Sequence, residues 1–351
     1  MLCLDLPDTE EDSYRRWMKS VEDEVAITPN DPSEEDVCVI IYTSGTTGNP
    51  KGVELTHKNI CSDLMGLKDV YKDKLDNNIS MAFLPWAHVY GQTCELHSLL
   101  ACGSTMGIVS HRDYILEALE LIKPTLVISV PALFNRIYDG IMNKVQQGSP
   151  LKQKIFHAAL ACSRDFNHRK EFQQPISPWL SFKHGIFEKI VFKGIREKLG
   201  SQLHYMTAGG AAVNLKVLHF FEDIGIPICE GYGLTETSPV ITCCQPDWNT
   251  RRLGTVGIPL KGQDVRIIIP GTEESAPDGE DGEVCVSGPN VMKGYRNNQD
   301  ANDEVFFNID GKRFFKTGDL GRMVEGKFLK ITGRIKEQFK LENGTYNLRL
   351  L

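Results

Sequence analysis

The feature that most constrains the fold is a repeated pairing of a short apolar run with a helix start. Val37–Tyr42, Ser80–Pro85, Thr125–Val130 and Leu203–Thr207 are each short and largely apolar, and each precedes a loop and a helix signal. Runs of this length, bounded by turn residues, read as buried strands. Thr56 is a candidate N-cap for a helix from about His57, a second helix is expected from about Tyr90, Pro131 leads a third, and a fourth begins near Asn214. Strands alternating with helices imply a largely parallel α/β sheet flanked by helices. After about Val240 the pattern changes. Val265–Ile269, Val284–Ser287 and Phe328–Thr332 are short runs separated by Gly, Pro, Asp and Asn, which predicts a β-rich subdomain with hairpins. The acidic stretch Gly271–Glu283 reads as a solvated hairpin loop rather than a metal site.

Charge and composition exclude several classes. The 351 residues carry 39 basic and 46 acidic side chains, a net charge of −7, whereas a nucleic-acid binder shows a basic surplus. The ten cysteines include no C-x-x-C pair, so they read as reduced thiols of an intracellular protein rather than a disulfide framework or zinc site. The first residues are acidic and polar, unlike a targeting peptide. No apolar run approaches the ~20 residues of a membrane helix, so any membrane contact is expected to be peripheral or made by other segments.

Two segments carry chemistry. Tyr42-Thr43-Ser44-Gly45-Thr46-Thr47-Gly48-Asn49-Pro50-Lys51-Gly52 joins glycines, hydroxyl side chains and a lysine. Glycines let backbone N–H groups turn inward on an anion, and the hydroxyls and Lys51 add donors and positive charge, as a polyphosphate requires. It is not a Walker A loop, because Lys51 trails Gly48 by three and precedes Gly52. A Ser/Thr/Gly-rich surface loop is the plain alternative. The second segment is Glu230-Gly231-Tyr232-Gly233-Leu234-Thr235-Glu236-Thr237. Its glycines would let backbone approach a flat ring, Tyr232 could stack on that ring, and Glu236 could ligate Mg²⁺. A dinucleotide fingerprint fails because Glu236 stands where a third glycine belongs.

Together the two segments resemble the adenylate-forming superfamily of acyl- and aryl-CoA synthetases, adenylation domains and beetle luciferases. Phe83-Leu84-Pro85-Trp86-Ala87-His88 is similar to its aromatic/His segment beside the acyl pocket, and Thr207-Ala208-Gly209-Gly210-Ala211-Ala212 to its adenine-bordering loop. Thr317-Gly318-Asp319 is similar to its ribose motif, and Gly333-Arg334-Ile335-Lys336 to the start of its hinge. Lys336–Gly344 and the helical region Phe182–Leu199 are most similar to the eukaryotic long-chain fatty acyl-CoA synthetases. The resemblance implies ATP-dependent activation of a long-chain fatty acid to its adenylate with release of pyrophosphate, then transfer to CoA. It assigns Thr43, Ser44, Gly45, Thr46, Thr47, Gly48 and Lys51 to the β- and γ-phosphates, with Thr43 and Glu236 on Mg²⁺. Gly209, Gly210, Ala211, Glu230, Gly231, Tyr232, Gly233 and Thr235 would frame the adenine, Asp319 and Arg334 would hold the ribose, and Trp86 and His88 would border or gate the acyl pocket. Each has a plain alternative: a helix-end carboxylate for Glu236, a turn Asp for Asp319, a structural histidine for His88, a boundary ion pair for Arg334.

The implied organisation is a linker or remnant over 1–36, an α/β body over 37–240, a β-rich subdomain over 241–332 and a hinge over 333–351. The family continues past the hinge into a lid domain carrying a lysine for the α-phosphate. The resemblance therefore implies a chain truncated at both ends, able to bind ATP but slow to adenylate and to form thioester. A non-catalytic ATP- or acyl-binding module, an aryl-CoA ligase and another adenylating enzyme are the competing readings. The location implied is intracellular, in the cytoplasm or peripheral on an organelle membrane.

Overall fold

The computed structural model describes residues 31–43, 49–71 and 78–335, and the backbone of 338–340 and 346–348. All elements below belong to the unit Glu35–Leu351. The largest sheet has seven strands in the order β4 (Thr105–Ile108), β3 (Ile79–Ala82), β5 (Leu126–Ser129), β6 (Tyr205–Ala208), β7 (Ile228–Gly233), β8 (Val240–Cys243) and β9 (Ile258–Pro259). From β4 through β7 neighbours run parallel, and β8 and β9 follow antiparallel.

Alternate residues of these strands enter two different cores. On β5, Leu126 and Ile128 pack with Tyr71, Leu99 and Tyr205, whereas Val127 packs with Phe134, Phe192 and Phe221. Successive strand side chains point to opposite faces, so the sheet is covered on both sides. That explains why all four residues of β5 are buried and why its sequence reads as a continuous apolar run. Phe134 and Phe221 are fully buried and meet edge to face at 6.3 Å. Each such side chain contributes about 1.5–3 kcal/mol by leaving water.

The longer helices among the described residues are α1 (His57–Tyr71), α2 (Ile115–Ile122), α3 (Pro131–Gln146), α4 (Pro150–Glu171), α5 (Pro178–Phe187) and α6 (Leu215–Asp223). Their starts follow local chemistry. The Thr56 hydroxyl accepts from the Asn59 amide at 3.2 Å, and the Asn59 side chain accepts from the Thr56 amide at 2.9 Å, a reciprocal cap for α1. Ser149, Ser177 and Asn214 accept from backbone amides at the starts of α4, α5 and α6. The expected helix near Tyr90 is a π-helix over Tyr90–His97.

One strand is not where the sequence put it. Val37–Tyr42 does not join the parallel sheet, and a second strand stands between it and the helix from His57. β1 (Val37–Thr43) pairs antiparallel with β2 (Lys51–Thr56), and β2 pairs with β12 (Gly294–Tyr295). The physical reason lies in β2, whose Val53 and Leu55 have no exposed surface, so β2 takes the centre and β1 the rim. Tyr42 is 66% exposed. The pairing sets Thr43 directly opposite Lys51.

The β-rich region forms a five-stranded sheet. β10 (Asp264–Ile268), β11 (Gly282–Ser287), β14 (Lys312–Val324) and β13 (Phe306–Ile309) lie in that order, and β15 (Phe328–Arg334) pairs with β14. The connection between β10 and β11 is exposed over 271–275 and 277–281, as expected of a solvated loop. Glu283, read as part of that loop, instead lies in β11 and is buried.

Candidate functional site

The parallel strands β3, β6 and β7 end on one side of the main sheet, where open α/β sheets present their ligand crevices. A cleft of about 620 Å³ lies there. His88 and Tyr90 follow β3, Gly209 and Gly210 follow β6, and Gly231, Gly233, Thr235 and Glu236 come from β7 and the turn after it. The small sheet contributes Thr43, Lys51 and Tyr295 to the same walls. The five-stranded sheet contributes Glu283, Lys316, Thr317, Gly318 and Arg334. The cleft thus sits where three sheets meet.

Lys51 and Glu236 are linked through Tyr295. The Lys51 ammonium sits 4.9 Å from the centre of the Tyr295 ring. The Tyr295 hydroxyl donates to Glu236 Oε1 at 2.8 Å. Burial, and then the Glu236 carboxylate beside it, push the Tyr295 phenol up, so it stays a donor. The backbone of Tyr295 is itself pinned, because Asn302 accepts from its amide at 2.7 Å and donates to its carbonyl at 3.1 Å. Sequence reading missed Tyr295. Its only local signal is a Gly-Tyr pair, and its partner lies 59 residues away.

The turn that carries Glu236 is tight. A Cβ on Gly233 would stand 1.7 Å from the Pro239 carbonyl oxygen, so only glycine fits. Asn290, buried, donates to the carbonyls of Thr237 and Val240 and fixes the far side of the turn.

Asp319 is buried and lies outside the cleft lining, next to Thr317, Gly318 and Arg334 of its walls, and both its oxygens are engaged. Tyr232 donates its hydroxyl to Oδ2 at 2.7 Å, and Arg334 donates Nε to Oδ1 at 2.7 Å. Asp319 and Arg334 are paired residues of β14 and β15, which sets this contact by register. Gly318 adopts φ +73°, the left-handed region that costs other residues strain. Its amide donates to Glu283 Oε1 at 3.2 Å, and the Thr317 hydroxyl donates to the Val284 carbonyl at 2.8 Å. Burial raises the Glu283 carboxyl, against the lowering effect of that amide. Glu283 was also missed, because its acidic neighbours made it look solvated.

Several expected residues stand back from the cleft walls. Tyr232 packs against the cluster of Ile267, Val284 and Leu329, donates its hydroxyl to Asp319, and lies outside the cleft lining. Glu230 is buried, accepts from the Val213 amide at 3.0 Å, and is pushed up to about 7 by burial. It braces the Gly209–Val213 loop. Ala211 is exposed outside the cleft. Trp86 donates Nε1 to Glu95 at 3.0 Å and also lies outside the cleft lining, whereas His88 is exposed on its wall. Ser44, Gly45, Thr46, Thr47, Gly48 and Lys336 lie outside the described residues.

A Mg²⁺ held with a nucleotide needs few protein oxygens, since phosphates and waters supply the rest. The donor set fits that demand: Thr43 and Glu236 line the same cleft, and one Glu236 oxygen has no hydrogen bond among the described residues. Among the described residues no group of three or more His, Cys, Asp or Glu forms a metal cluster. The nine described cysteines are thiols.

Residues 1–296 match the family described as AMP-binding enzyme. The chain belongs to this family. The AMP-binding chain is 34% identical over 326 residues to long chain acyl-CoA synthetase 7, peroxisomal, of Arabidopsis thaliana, covering 90% of this chain and 43% of that one. It is 35% identical over 306 residues to the long-chain-fatty-acid–CoA ligase FadD15 of Mycobacterium tuberculosis, covering 86% and 47%. The chain therefore spans a little under half the length of these relatives. Among solved structures, ATP-bound MatB from Rhodopseudomonas palustris superposes with a TM-score of 0.67 at 25% identity, over 92% of this chain and 53% of that one. The α/β body with its β-rich region is thus the fold of an adenylate-forming enzyme.

Proposed function

We propose that this AMP-binding chain activates a long-chain fatty acid with ATP, forming an acyl-adenylate and pyrophosphate, and that the thiolate of CoA then attacks the adenylate to give acyl-CoA and AMP. The observation that carries this reading is the cleft shared by Thr43, Lys51, Tyr295 and Glu236, with Thr317, Gly318 and Arg334 also in its walls and Asp319 buried beside them. The names of the relatives, both fatty-acyl ligases, support the substrate class.

In this reading Thr43, the segment 44–48 and Lys51 hold the β- and γ-phosphates, and Lys51 stabilises the departing pyrophosphate. Thr43 and Glu236 hold Mg²⁺, which when bound neutralises phosphate charge. Tyr295 keeps Lys51 and Glu236 apart by engaging both, so that neither neutralises the other. Gly209, Gly210, Gly231, Gly233 and Thr235 border the adenine, with Glu230 bracing their loop. Asp319 accepts from the ribose hydroxyls with its remaining lone pairs, since each carboxylate oxygen has two. Tyr232 and Arg334 preorganise it. Attack by the fatty carboxylate on the α-phosphate needs alignment more than acid–base chemistry, and fixed walls supply it. The reaction belongs inside the cell, where ATP and CoA are found, in the cytoplasm or at an organelle surface.

ATP–pyrophosphate exchange with a panel of long-chain, medium-chain, aryl and amino acids tests the proposal. Exchange that requires the long-chain acid supports it. Preference for an aryl or amino acid contradicts the substrate class, and saturable Mg·ATP binding with no exchange under any acid contradicts the activity.

A further inference from the structure

Strand β14 does not pass β11 in simple register. Glu283 pairs with Leu320 and Cys285 with Lys316, so Val284 alone faces Thr317, Gly318 and Asp319. Three residues opposite one make a bulge, which lifts the backbone out of the ladder and re-aims the side chains it carries. The side chain re-aimed here is Asp319, which on its other side pairs with Arg334 of β15. A bulge also breaks ladder hydrogen bonds, and the amides it frees need other acceptors.

Two side chains supply those acceptors. The Asp319 amide donates to Thr317 Oγ1 at 3.1 Å, and the Gly318 amide donates to Glu283 Oε1 at 3.2 Å. The first bond lies within the bulge, whereas the second reaches it from β11. Glycine has many backbone conformations open to it, so φ +73° at Gly318 is held by contacts and not by its own preference. A carboxylate suits that task, because a charged acceptor bonds an amide more strongly than a neutral one. The placement is costly for stability alone. Glu283 is buried, and the like charge of Asp319 adds to the effect of burial in raising its carboxyl. Such a cost at a cleft wall points to function.

We infer that Glu283 is a positioning residue for the nucleotide: through the Gly318 amide it fixes the backbone of the bulge, and with it the direction in which Asp319 meets the ribose hydroxyls. The inference deepens the proposed function and rests on its assignment of Asp319 to the ribose. The labour is divided. Tyr232 and Arg334 hold the two oxygens of Asp319, and Glu283 holds the main chain beside it. Reach to the amide matters more here than the charge of Glu283, because the bulge is tethered by the bond itself.

Calorimetric titration of the full chain with Mg·ATP and with its 2′,3′-dideoxy analogue, with no acid present, tests the inference. Hydrogen bonds from the ribose to a charged group should make the wild type favour ATP by about tenfold or more. Glu283→Asp keeps the charge but draws it back from the amide by one methylene. It should lower that preference to about threefold or less, through a loss of ATP affinity alone. Glu283→Gln keeps the reach and should retain the preference to within about twofold. Both replacements are conservative, and the unfolding temperature is read beside each titration. Equal weakening of ATP and the dideoxy analogue in Glu283→Asp is what a merely structural role gives, and it overturns the inference. So does a preference kept in Glu283→Asp, or one lost in Glu283→Gln, which would assign the effect to charge. A wild type that binds neither nucleotide contradicts the proposed function, and the inference with it. One that binds both equally overturns the ribose contact on which the inference stands.

Discussion

Replacing Tyr295 by Phe isolates one hydroxyl at the centre of the cleft. The ring remains beneath Lys51, and only the donor to Glu236 Oε1 at 2.8 Å is lost. A hydrogen bond to a charged group is worth about 1.5–3 kcal/mol, and Glu236 is partly exposed, which argues for the lower end. Without the hydroxyl the carboxylate is free to swing towards Lys51, and Mg·ATP must then separate that pair before binding. A loss of about 1.4 kcal/mol corresponds to roughly tenfold weaker binding. Tyr295→Leu removes the ring as well, and with it a cation–π contact worth about 0.5–1 kcal/mol, for a combined loss of some thirtyfold or more. Calorimetric titration with a non-hydrolysable ATP analogue at fixed Mg²⁺ measures both. A double-mutant cycle with Glu236→Gln should show coupling of about 1 kcal/mol. Affinity unchanged within twofold in Tyr295→Phe, or strictly additive losses in the cycle, would refute the reasoning.

Gly318→Ala places a side chain at φ +73° and should cost about 1–2 kcal/mol of stability, read from denaturant unfolding, with weaker nucleotide binding beside it. Arg251→Met leaves the buried Glu222 without the guanidinium that donates to both its oxygens, at 2.7 and 2.9 Å, and should destabilise by about 3–5 kcal/mol while leaving the cleft intact. Glu95 is fully buried and pushed up to about 7 by burial, against donation from Trp86. A folded-state value above the unfolded one means that the stability Glu95 contributes is full below about 4.5 and falls as pH rises through about 7. Glu95→Gln should therefore match the wild-type melting temperature near pH 5 and exceed it at pH 8, by the equivalent of at most about 3 kcal/mol.

Much of this architecture could be read from the chain because it follows local rules. Leu126–Ser129 with Pro131 behind it, and Tyr205–Ala208 with Asn214 behind it, are strand and helix-start signals that need no distant partner. The same rule failed at Val37–Thr43, where a continuous apolar run marks a hairpin rim rather than a central strand. What decided its place was the buried Val53 and Leu55 of the next strand, half hidden between Gly52 and Glu54. The cleft divides in the same way. Lys51 and Glu236 stood out as motif residues, whereas Tyr295 and Glu283 gain their roles only through contacts across the fold. Tyr232 likewise gains a partner that its motif does not show, a carboxylate 87 residues away that accepts from its hydroxyl.

A crystal structure of the chain with Mg·ATP tests the central claim most directly. The account predicts the triphosphate between Thr43, Lys51 and Glu236, with the ribose against Asp319. Nucleotide bound elsewhere, or phosphates out of reach of both Lys51 and Glu236, would contradict it.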